Sequence, residues 1–279
     1  MELLRSLASS TFLSLFALIA VIAMEHLGPR ERYTLRDRLP GFLMNAIGTF
    51  LSLALVWPLN WAWFELGVPP LLMIPLSQWV GPLGFTGKII QILVLVAAAD
   101  FLIYWRHRAE HAWFWPIHLV HHAPRELHAA NDIGHPLQII ISFVFVTVPL
   151  SLIQLDGPAT PAAVGAIVGI ANMLIHSPVE WHLGPLRKII VDNRFHRIHH
   201  SLEERHFDKN FGICFSLWDW MFGTAYEPGE EWPAVGVDQV KAPITLWEFL
   251  ALPLASFRDR RARQSSPATD LSQQLLEQP

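Results

Sequence analysis

Histidines in the middle of the chain are spaced so that several imidazoles can reach one point. Residues three and four apart lie on the same face of a helix. This spacing occurs in three groups, which are His107 and His111; His118, His121 and His122; and His196, His199 and His200. Imidazole is the commonest protein ligand for iron, copper and zinc. Eight imidazoles exceed the needs of one ion, so the spacing predicts a site for more than one metal ion.

The number and type of these ligands favour iron over zinc. A structural zinc site takes four ligands, usually including sulfur. The chain has one cysteine, Cys214, which excludes an internal disulfide and leaves no set of thiolate ligands. Iron with O₂ can cut an unactivated C–H bond, which acid–base side chains cannot do. The histidines His26, His128, His182 and His206 lie outside the three groups and are expected to be ordinary packed residues.

The composition is that of a membrane protein. Of the 279 residues, 52% are hydrophobic and only 16% are charged, against about 25% charged in ordinary soluble domains. The net charge of −4 offers no basic surface for nucleic acid. Several of the 12 tryptophans end apolar runs, where their amphipathic rings suit a membrane interface. We therefore expect an integral membrane protein that acts on a lipid.

Apolar runs predict five membrane spans, at residues 8–24, 41–63, 88–105, 136–155 and 161–176. The first run is at the short limit for a spanning helix, and a signal peptide is its alternative interpretation. Prolines and glycines in residues 64–87 predict a loop or a shallow re-entrant segment. The fifth run is too short to span comfortably alone. The predicted fold class is therefore an all-α, multi-pass membrane protein with four to five spans.

The predicted topology places the histidine groups and the arginine-rich loop 25–40 on one face of the membrane. The opposite loops, 64–87 and 156–160, contain no lysine or arginine. Because positive loops stay inside, we expect a cytoplasmic helical cap that carries the histidines. The C-terminal tail has little to bury and is expected to be disordered from about residue 258.

Three other functions fit parts of the pattern. His107-Arg-Ala-Glu110-His111 matches the inverted zinc-peptidase motif, in which Glu110 would activate a zinc-bound water. That hydrolase leaves the two His-x-x-His-His groups unexplained, and Glu110 is expected instead to face water or an arginine. A membrane metal transporter would place its histidines within the spans, whereas these follow the span ends. A bis-histidine haem carrier would pair single histidines across helices.

The residues around the three groups extend the pattern. Asp100-x-x-x-Tyr104-Trp105 precedes the first group, and His135-Pro136 follows the second. Leu183-Gly-Pro-Leu186 and Asn193-Arg-Phe precede the third group, and Asp208-Lys-Asn210-Phe-Gly212 and Trp218-Asp219 follow it. With its His-x(3,4)-His and two His-x-x-His-His boxes, the stretch from about residue 90 to 225 resembles the fatty acid hydroxylase/sterol desaturase superfamily of membrane di-iron oxygenases.

The resemblance implies two iron ions held by the eight box histidines and by His176 as a ninth ligand. A tenth position stays open to Glu180, to His182 or to water. His135 is a further candidate, either as a ligand or as a support behind one. Asp100 either accepts a proton from a ligating imidazole or makes a helix-packing hydrogen bond.

Asp208 and Asn210 are expected to support the last box without binding metal. The domain organisation we expect is 1–87 as N-terminal spans and loops, 88–225 as the membrane-embedded di-iron domain, and 226–279 as a C-terminal extension.

The resemblance also implies the reaction and its partners. A di-iron centre would use O₂ as co-substrate to hydroxylate or desaturate a sterol, a fatty acyl chain or an ether lipid. The chain has neither a dinucleotide-binding glycine motif nor cysteines for an iron–sulfur cluster. Electrons are therefore expected from a separate ferredoxin-type or cytochrome-type donor with its reductase. The expected location is a bacterial inner membrane, with the active site on the cytoplasmic face.

Overall fold

The computed structural model describes residues 16–132, 134–156, 161–179, 181–238, 240–241 and 243–265. Within these ranges the chain is mostly helical. The helices are α1 Phe16–Glu25, α2 Leu35–Glu65, α3 Leu76–Val80, α4 Phe85–Ala112, α5 Trp115–His122, α6 Gln138–Leu152, α7 Pro161–Ile175, α8 Asn193–His199, α9 Leu217–Phe222 and α10 Leu246–Ser265. Single 3₁₀ turns lie at Gly81–Leu83, Ala129–Asn131, Gly184–Lys188 and Glu204–His206.

Two helices, α2 and α4, are long and apolar enough to cross a membrane. Their most apolar windows are only 17% and 28% buried, which distinguishes them from the core helices of a soluble protein. They contain the predicted runs 41–63 and 88–105. Each helix is longer than its run because polar and charged residues at the histidine-bearing end continue it.

Helix α2 begins with a capping box that fixes its first residue. The Thr34 hydroxyl accepts a hydrogen bond from the Asp37 backbone N–H, and the Asp37 carboxylate accepts from the Thr34 backbone N–H at 2.7 Å. These bonds satisfy backbone donors that have no partner within the helix. The arginine-rich segment before α2 also lies beside the last histidine group, because Arg30 N donates to Pro178 O and Arg197 donates to the Glu31 carboxylate.

The shorter apolar runs also form helices. Helix α6 coincides with most of the run 136–155 and contains a π-helical segment, Phe143–Thr147. Helix α7 has 15 residues and accounts for the fifth run. The run 8–24 is described only from residue 16, where α1 begins, so its first half lies outside the described residues.

Residues 64–87 differ from the sequence-based expectation of a loop. Strand β1, Leu72–Ile74, pairs in parallel with β2, Ile153–Leu155. This two-stranded sheet joins the segment before α3 to the segment after α6, at the end of the molecule opposite the histidines. The purely α-helical prediction missed this sheet because three-residue strands carry almost no periodicity. Helix α10 extends to Ser265, and the expectation of a disordered tail stays a prediction.

An aromatic side chain in its first turn packs helix α10 against the rest of the protein. Phe249 is fully buried and packs against Met44 of α2 and Val120 of α5. The preceding segment also bonds to the last histidine group, since Gly236 N donates to His200 O and Leu202 N donates to Ala234 O. The C-terminal extension therefore packs directly on the elements that carry the histidines.

Candidate metal centre

Four helices that meet at one end of the molecule position the histidines. The long helix α4 carries His107 and His111 one turn apart near its C-terminal end. Helix α5 begins after a turn at Trp113 and Phe114. Pro116 lies in its first turn, where backbone N–H groups have no partner within the helix, so the missing N–H costs no hydrogen bond. Helix α8 is capped by Asp192, whose carboxylate accepts from Phe195 N at 2.9 Å. His176 directly follows the last residue of α7.

These elements bring all nine predicted histidines into two adjacent clusters. The five-histidine cluster contains His107, His111, His118, His122 and His199. The four-histidine cluster contains His121, His176, His196 and His200. Each His-x-x-His-His box is divided, because its first and third histidines share a helix face and its middle one faces the other cluster. Eight of the nine are buried, and His111 is partly exposed.

The ring nitrogens within each cluster face one another at a separation that suits a shared ion. The contacts His107–His118, His111–His122, His121–His176 and His196–His200 join Nε2 atoms at 3.1 to 3.3 Å. Two nitrogens about 2.1 Å from one ion and about 100° apart would be separated by about 3.2 Å. Bare lone pairs this close repel unless a cation lies between them. The buried Nε2 of His199 also has no hydrogen-bond partner. The clusters therefore fit two metal ions.

The other ring nitrogen of several imidazoles is held by a backbone carbonyl. Nδ1 of His107 donates to Phe211 O at 2.9 Å, and Nδ1 of His199 donates to Lys209 O at 2.7 Å. His176 Nδ1 makes the same bond to Asn172 O at 2.7 Å. With the proton held on Nδ1, the Nε2 lone pair is free to bind a metal.

Two carboxylates support histidines of the five-histidine cluster. Glu110 is fully buried, with Oε2 3.3 Å from His118 Nδ1 and Oε1 3.8 Å from Arg106 Nε. Glu110 therefore does not face water, and the arginine contact was correctly expected. Asp208 lies 3.1 Å from His111 Nδ1, so it supports the first box and not the last one. A carboxylate behind an imidazole fixes its orientation and increases its basicity.

The loop after the last box has an unusual backbone that brings its carbonyl groups to the histidines. Asp208 and Asn210 both have a φ of 56°, the left-handed region that aspartate and asparagine tolerate best among residues other than glycine. The Asn210 side chain donates to Phe195 O at 2.8 Å, which ties the loop to α8 as predicted for a support of the last box. The Lys209 carbonyl lies between these two residues and accepts from His199.

A buried carboxylate of α9 fixes the next part of this loop. Asp219 accepts from the backbone N–H groups of Phe211 and Gly212 at 2.8 and 2.9 Å, and from the Thr224 hydroxyl at 2.7 Å. At Gly212 a Cβ would come within 2.5 Å of Phe215 O, so only glycine fits here. Burial raises the pKa of Asp219, and its hydrogen bonds oppose that shift.

Asp100 does not contact a histidine. Its carboxylate accepts from Cys214 N and Phe215 N, both at 2.9 Å, and from Trp218 Nε1 at 3.0 Å. Of the two roles considered for Asp100, the helix-packing role is the one that its contacts support. Asp100 on α4 and Asp219 on α9 therefore hold the same loop from two sides.

The remaining candidate ligands lie apart from the clusters or outside the described residues. His182 is exposed, and its Nδ1 accepts from Gly184 N, so it is not near the nine histidines. Glu180 lies outside the described residues. His135 is buried beside the clusters, where its Nδ1 accepts from Leu137 N at 3.2 Å. Of the four histidines expected to be ordinary, His128 and His206 are fully buried.

Burial favours the neutral form of several imidazoles in the clusters. Burial lowers the pKa of His118, His199 and His200 well below the usual range, and the neighbouring imidazoles add to this effect. Neutral imidazole is the form that binds metal. The site therefore has its ligands in the binding form at neutral pH.

A cavity of about 660 Å³ opens beside the clusters, between α2, α4, α6 and α7. Its lining includes His107 and His118 of one cluster and His121 of the other. The volume is in the usual range for small-molecule sites. A substrate in this cavity would therefore lie against both clusters.

Comparison with known proteins places this centre in a family. The family model described as fatty acid hydroxylase matches residues 92–224, which include all nine clustered histidines. The match covers 133 of the 279 residues, just under half of the chain. The predicted resemblance is confirmed, and the family is membrane-bound. No solved structure matches the chain significantly.

The chain is also similar to proteins named as a lipid hydroxylase, a monooxygenase and an aldehyde decarbonylase. Ornithine lipid hydroxylase OlsE of Rhizobium tropici is 30% identical over 54% of this chain and 44% of its own length. Alkylglycerol monooxygenase of Homo sapiens is 33% identical over 45% of this chain and 28% of its own length. Very-long-chain aldehyde decarbonylase GL1-6 of Oryza sativa subsp. indica is 27% identical over 52% of this chain and 24% of its own length. The chain spans less than half the length of these relatives.

Sequence reasoning missed three residues of the centre. Glu110 was considered as part of a zinc motif and as a partner of water or an arginine, but its position beside His118 was not expected. Gln138 has its Nε2 atom 2.9 Å from His118 Nδ1. Asp219 was recognised only as part of a matching block. Gln138 and Asp219 gave no signal of their own, because their contacts depend on how distant segments pack.

Proposed function

We propose that this protein is an O₂-dependent di-iron oxygenase that hydroxylates or desaturates a C–H bond of a membrane lipid, with electrons from a separate redox partner. One observation carries the proposal. Two adjacent clusters hold nine imidazoles between them, and members of both line one cavity that opens between apolar helices. The lipid hydroxylases and monooxygenases among the relatives support the reaction type.

The residues of the chain would hold the two metal ions and exclude water. His107, His111, His118, His122 and His199 would bind one ion, and His121, His176, His196 and His200 would bind the other. When bound, a pair of iron ions supplies the oxidising power that breaks an unactivated C–H bond with O₂. In hydroxylation one oxygen atom enters the C–H bond, and the other leaves as water after taking two electrons and two protons. The residues behind the ligands hold each imidazole in one orientation throughout.

The helix lengths support a centre at the membrane surface. From Phe85 to His107, helix α4 rises about 33 Å at 1.5 Å per residue, which is close to the thickness of the hydrocarbon core. The first box would then lie where α4 leaves the hydrocarbon. The arginines between α1 and α2 lie at the same end, and by the positive-inside rule they support a cytoplasmic location for it.

The location can be tested with single cysteines at the two ends. We expect an impermeant maleimide to label Glu65→Cys from outside intact bacterial cells, and to label Arg32→Cys only after lysis. The native Cys214 is buried, so it provides a low background. The reverse pattern would contradict the cytoplasmic placement.

Metal content and product analysis test the proposed reaction. Protein purified in detergent without metal-affinity steps should contain close to two irons per chain and show no haem Soret band. Cells that express the protein should contain lipids that are heavier by one oxygen atom or lighter by two hydrogen atoms than those in control cells. One zinc or less per chain, with unchanged lipids, would instead point to the hydrolase that uses Glu110.

A further inference from the structure

The cavity beside the clusters has a polar end and an apolar end. Along α2 its wall changes from Asn45, Thr49 and Ser52 near the histidines to Leu53 and Val56 further along. The distance from residue 45 to residue 56 is about 16 Å along the helix axis. The wall therefore matches an amphiphile that lies with its polar group beside the histidines.

Arg106 is the cation at the polar end. Its NH1 donates to Ser142 Oγ at 2.7 Å, and its nearest carboxylate oxygen, Oε1 of Glu110, is 3.8 Å away. The Nε atom is buried and has no hydrogen-bond partner. A guanidinium has five N–H donors, so several remain available to a ligand. A charge within a membrane helix is costly and usually has a functional partner.

The carboxylate of Asp132, at the same end of the cavity, already accepts hydrogen bonds from protein side chains. Asp132 accepts from Asn45 Nδ2 at 2.7 Å and from Asn172 Nδ2 at 3.0 Å. Among the described residues that line the cavity, Arg106 and Asp132 are the only charged side chains besides the histidines. The lining groups without a hydrogen-bond partner include Arg106 Nε and Gln138 Oε1, and of these two only the guanidinium carries a charge. A cation with spare donors calls for an oxygen acceptor on the ligand.

The apolar part of the cavity is kept open by glycines. Gly165 and Gly169 of α7 line the wall one turn apart, and a Cβ at either position would meet no atom within 4 Å. Since glycine in a helix costs stability relative to alanine, this pair maintains the cavity at a cost to the helix. An acyl or alkyl chain would fit here.

We propose that Arg106 binds an oxygen atom in the polar group of an amphiphilic substrate. The carbon that this contact places beside the two clusters is one close to the polar group, and not one far down the chain. This inference rests on the proposed function and names its class of substrate. The class is lipids with an ether, hydroxyl, carbonyl or carboxyl oxygen next to the carbon that is oxidised.

Binding of two matched probes tests the proposal. The probes are 1-O-hexadecylglycerol and heptadecane, added to metal-loaded protein in phosphatidylcholine nanodiscs and followed by tryptophan fluorescence. The wild-type protein should bind the glycerol ether at least about tenfold more tightly, because hydrogen bonds to a charged group have this strength. Equal binding of the two probes would overturn the proposal.

Variants locate the contact within the cavity. Arg106→Met should lose the preference for the glycerol ether, Arg106→Lys should keep part of it, and the exposed Arg32→Met should leave it unchanged. If Arg106→Met does not fold, Gly169→Leu gives a second test, because it fills the cavity away from the clusters. It should abolish binding of both probes while metal content stays at the wild-type value. Unchanged binding in Arg106→Met or in Gly169→Leu would overturn the proposal.

The two proposals can fail separately. Probe binding requires neither electrons nor O₂, so a protein without iron or without oxidised products would contradict the oxygenase and leave the binding result intact. If the oxygenase is correct and products are oxidised in the middle of the chain, the placement by Arg106 is wrong.

Discussion

At the scale of single residues, the second nitrogen of each imidazole decides whether the first can bind a metal. In this protein that second nitrogen contacts a carbonyl oxygen in His107, His176 and His199, and a carboxylate in His111. Each contact fixes a tautomer as well as a ring orientation.

Removal of one ligand should separate the clustered histidines from the ordinary ones. We expect His199→Ala to lose metal and lipid oxidation together, because His199 is a buried member of the five-histidine cluster. The matched change His26→Ala, at an exposed position, should alter neither. Metal analysis of both purified proteins provides the comparison. Full iron content in His199→Ala would show that the cluster is not a metal site.

Glu110 offers a test of the residues behind the ligands. Glu110→Gln removes the charge beside His118 Nδ1 and keeps the shape of the side chain. Metal affinity should fall by about 10- to 100-fold, the usual effect of losing such a partner. Competition with a chelator would measure it, and the exposed Glu65→Gln should match the wild type. An unchanged affinity would mean that Glu110 has no influence on His118.

At the scale of elements, two buried carboxylates hold one loop in place for the histidines of two helices. Asp100 on α4 and Asp219 on α9 both accept backbone N–H groups from residues 211–215. The same loop supplies the carbonyl that receives His107 Nδ1. The position of the first box therefore depends on a segment about 100 residues away in sequence.

Asp219→Ala tests this dependence. The change leaves two buried backbone N–H groups and the Thr224 hydroxyl without their acceptor, so it should lower the free energy of unfolding by about 2–4 kcal/mol. Thermal unfolding in detergent would show the loss. Asp238→Ala, which removes an exposed partner of Arg125, should change stability little. Equal stability of the two variants would contradict the role given to Asp219.

At the scale of the whole molecule, the histidine-bearing end is closed by buried charges that are paired. Glu25 and Arg38 form a buried ion pair between α1 and α2. Arg197 of α8 donates to Glu31, and its guanidinium lies 4.4 Å from the centre of the Trp232 ring. These contacts join the N-terminal segment, the last box and the C-terminal extension into one packed unit.

Buried histidines should make this unit sensitive to acid. Burial lowers the pKa of His128 to about 3, and both of its ring nitrogens lack hydrogen-bond partners. The unfolded chain, with a histidine pKa of about 6.5, therefore binds one more proton than the folded protein between pH 6.5 and 3. The contribution of His128 to stability is greatest above pH 6.5 and is lost as the pH falls through this window.

The variant His128→Phe should remove this loss. The free energy of unfolding of the variant minus that of the wild type should increase by about 2 kcal/mol as the pH falls from 6.5 to 5, at about 1.4 kcal/mol per pH unit. Denaturant unfolding in detergent at several pH values would measure the difference. The exposed His182→Phe should show no such trend. A pH-independent difference for His128→Phe would contradict the assigned pKa.

The sequence by itself determined the family, the mostly helical fold and the choice of the nine histidines. These follow from local rules, since residues three and four apart on a helix share a face and apolar runs predict membrane helices. His176 is the exception, because it stands alone in sequence and was identified only from the family resemblance.

Only the tertiary structure decided how the histidines divide and what supports them. The division into five and four arises where α4, α5, α7 and α8 meet, and no single helix contains it. His111 and its partner Asp208 are 97 residues apart, and Asp100 and Cys214 are 114 apart. The same limit applies to the β1–β2 pair and to the packing of α10. These contacts bring together segments that are distant in the chain, and hydrophobic periodicity carries no record of which segments meet.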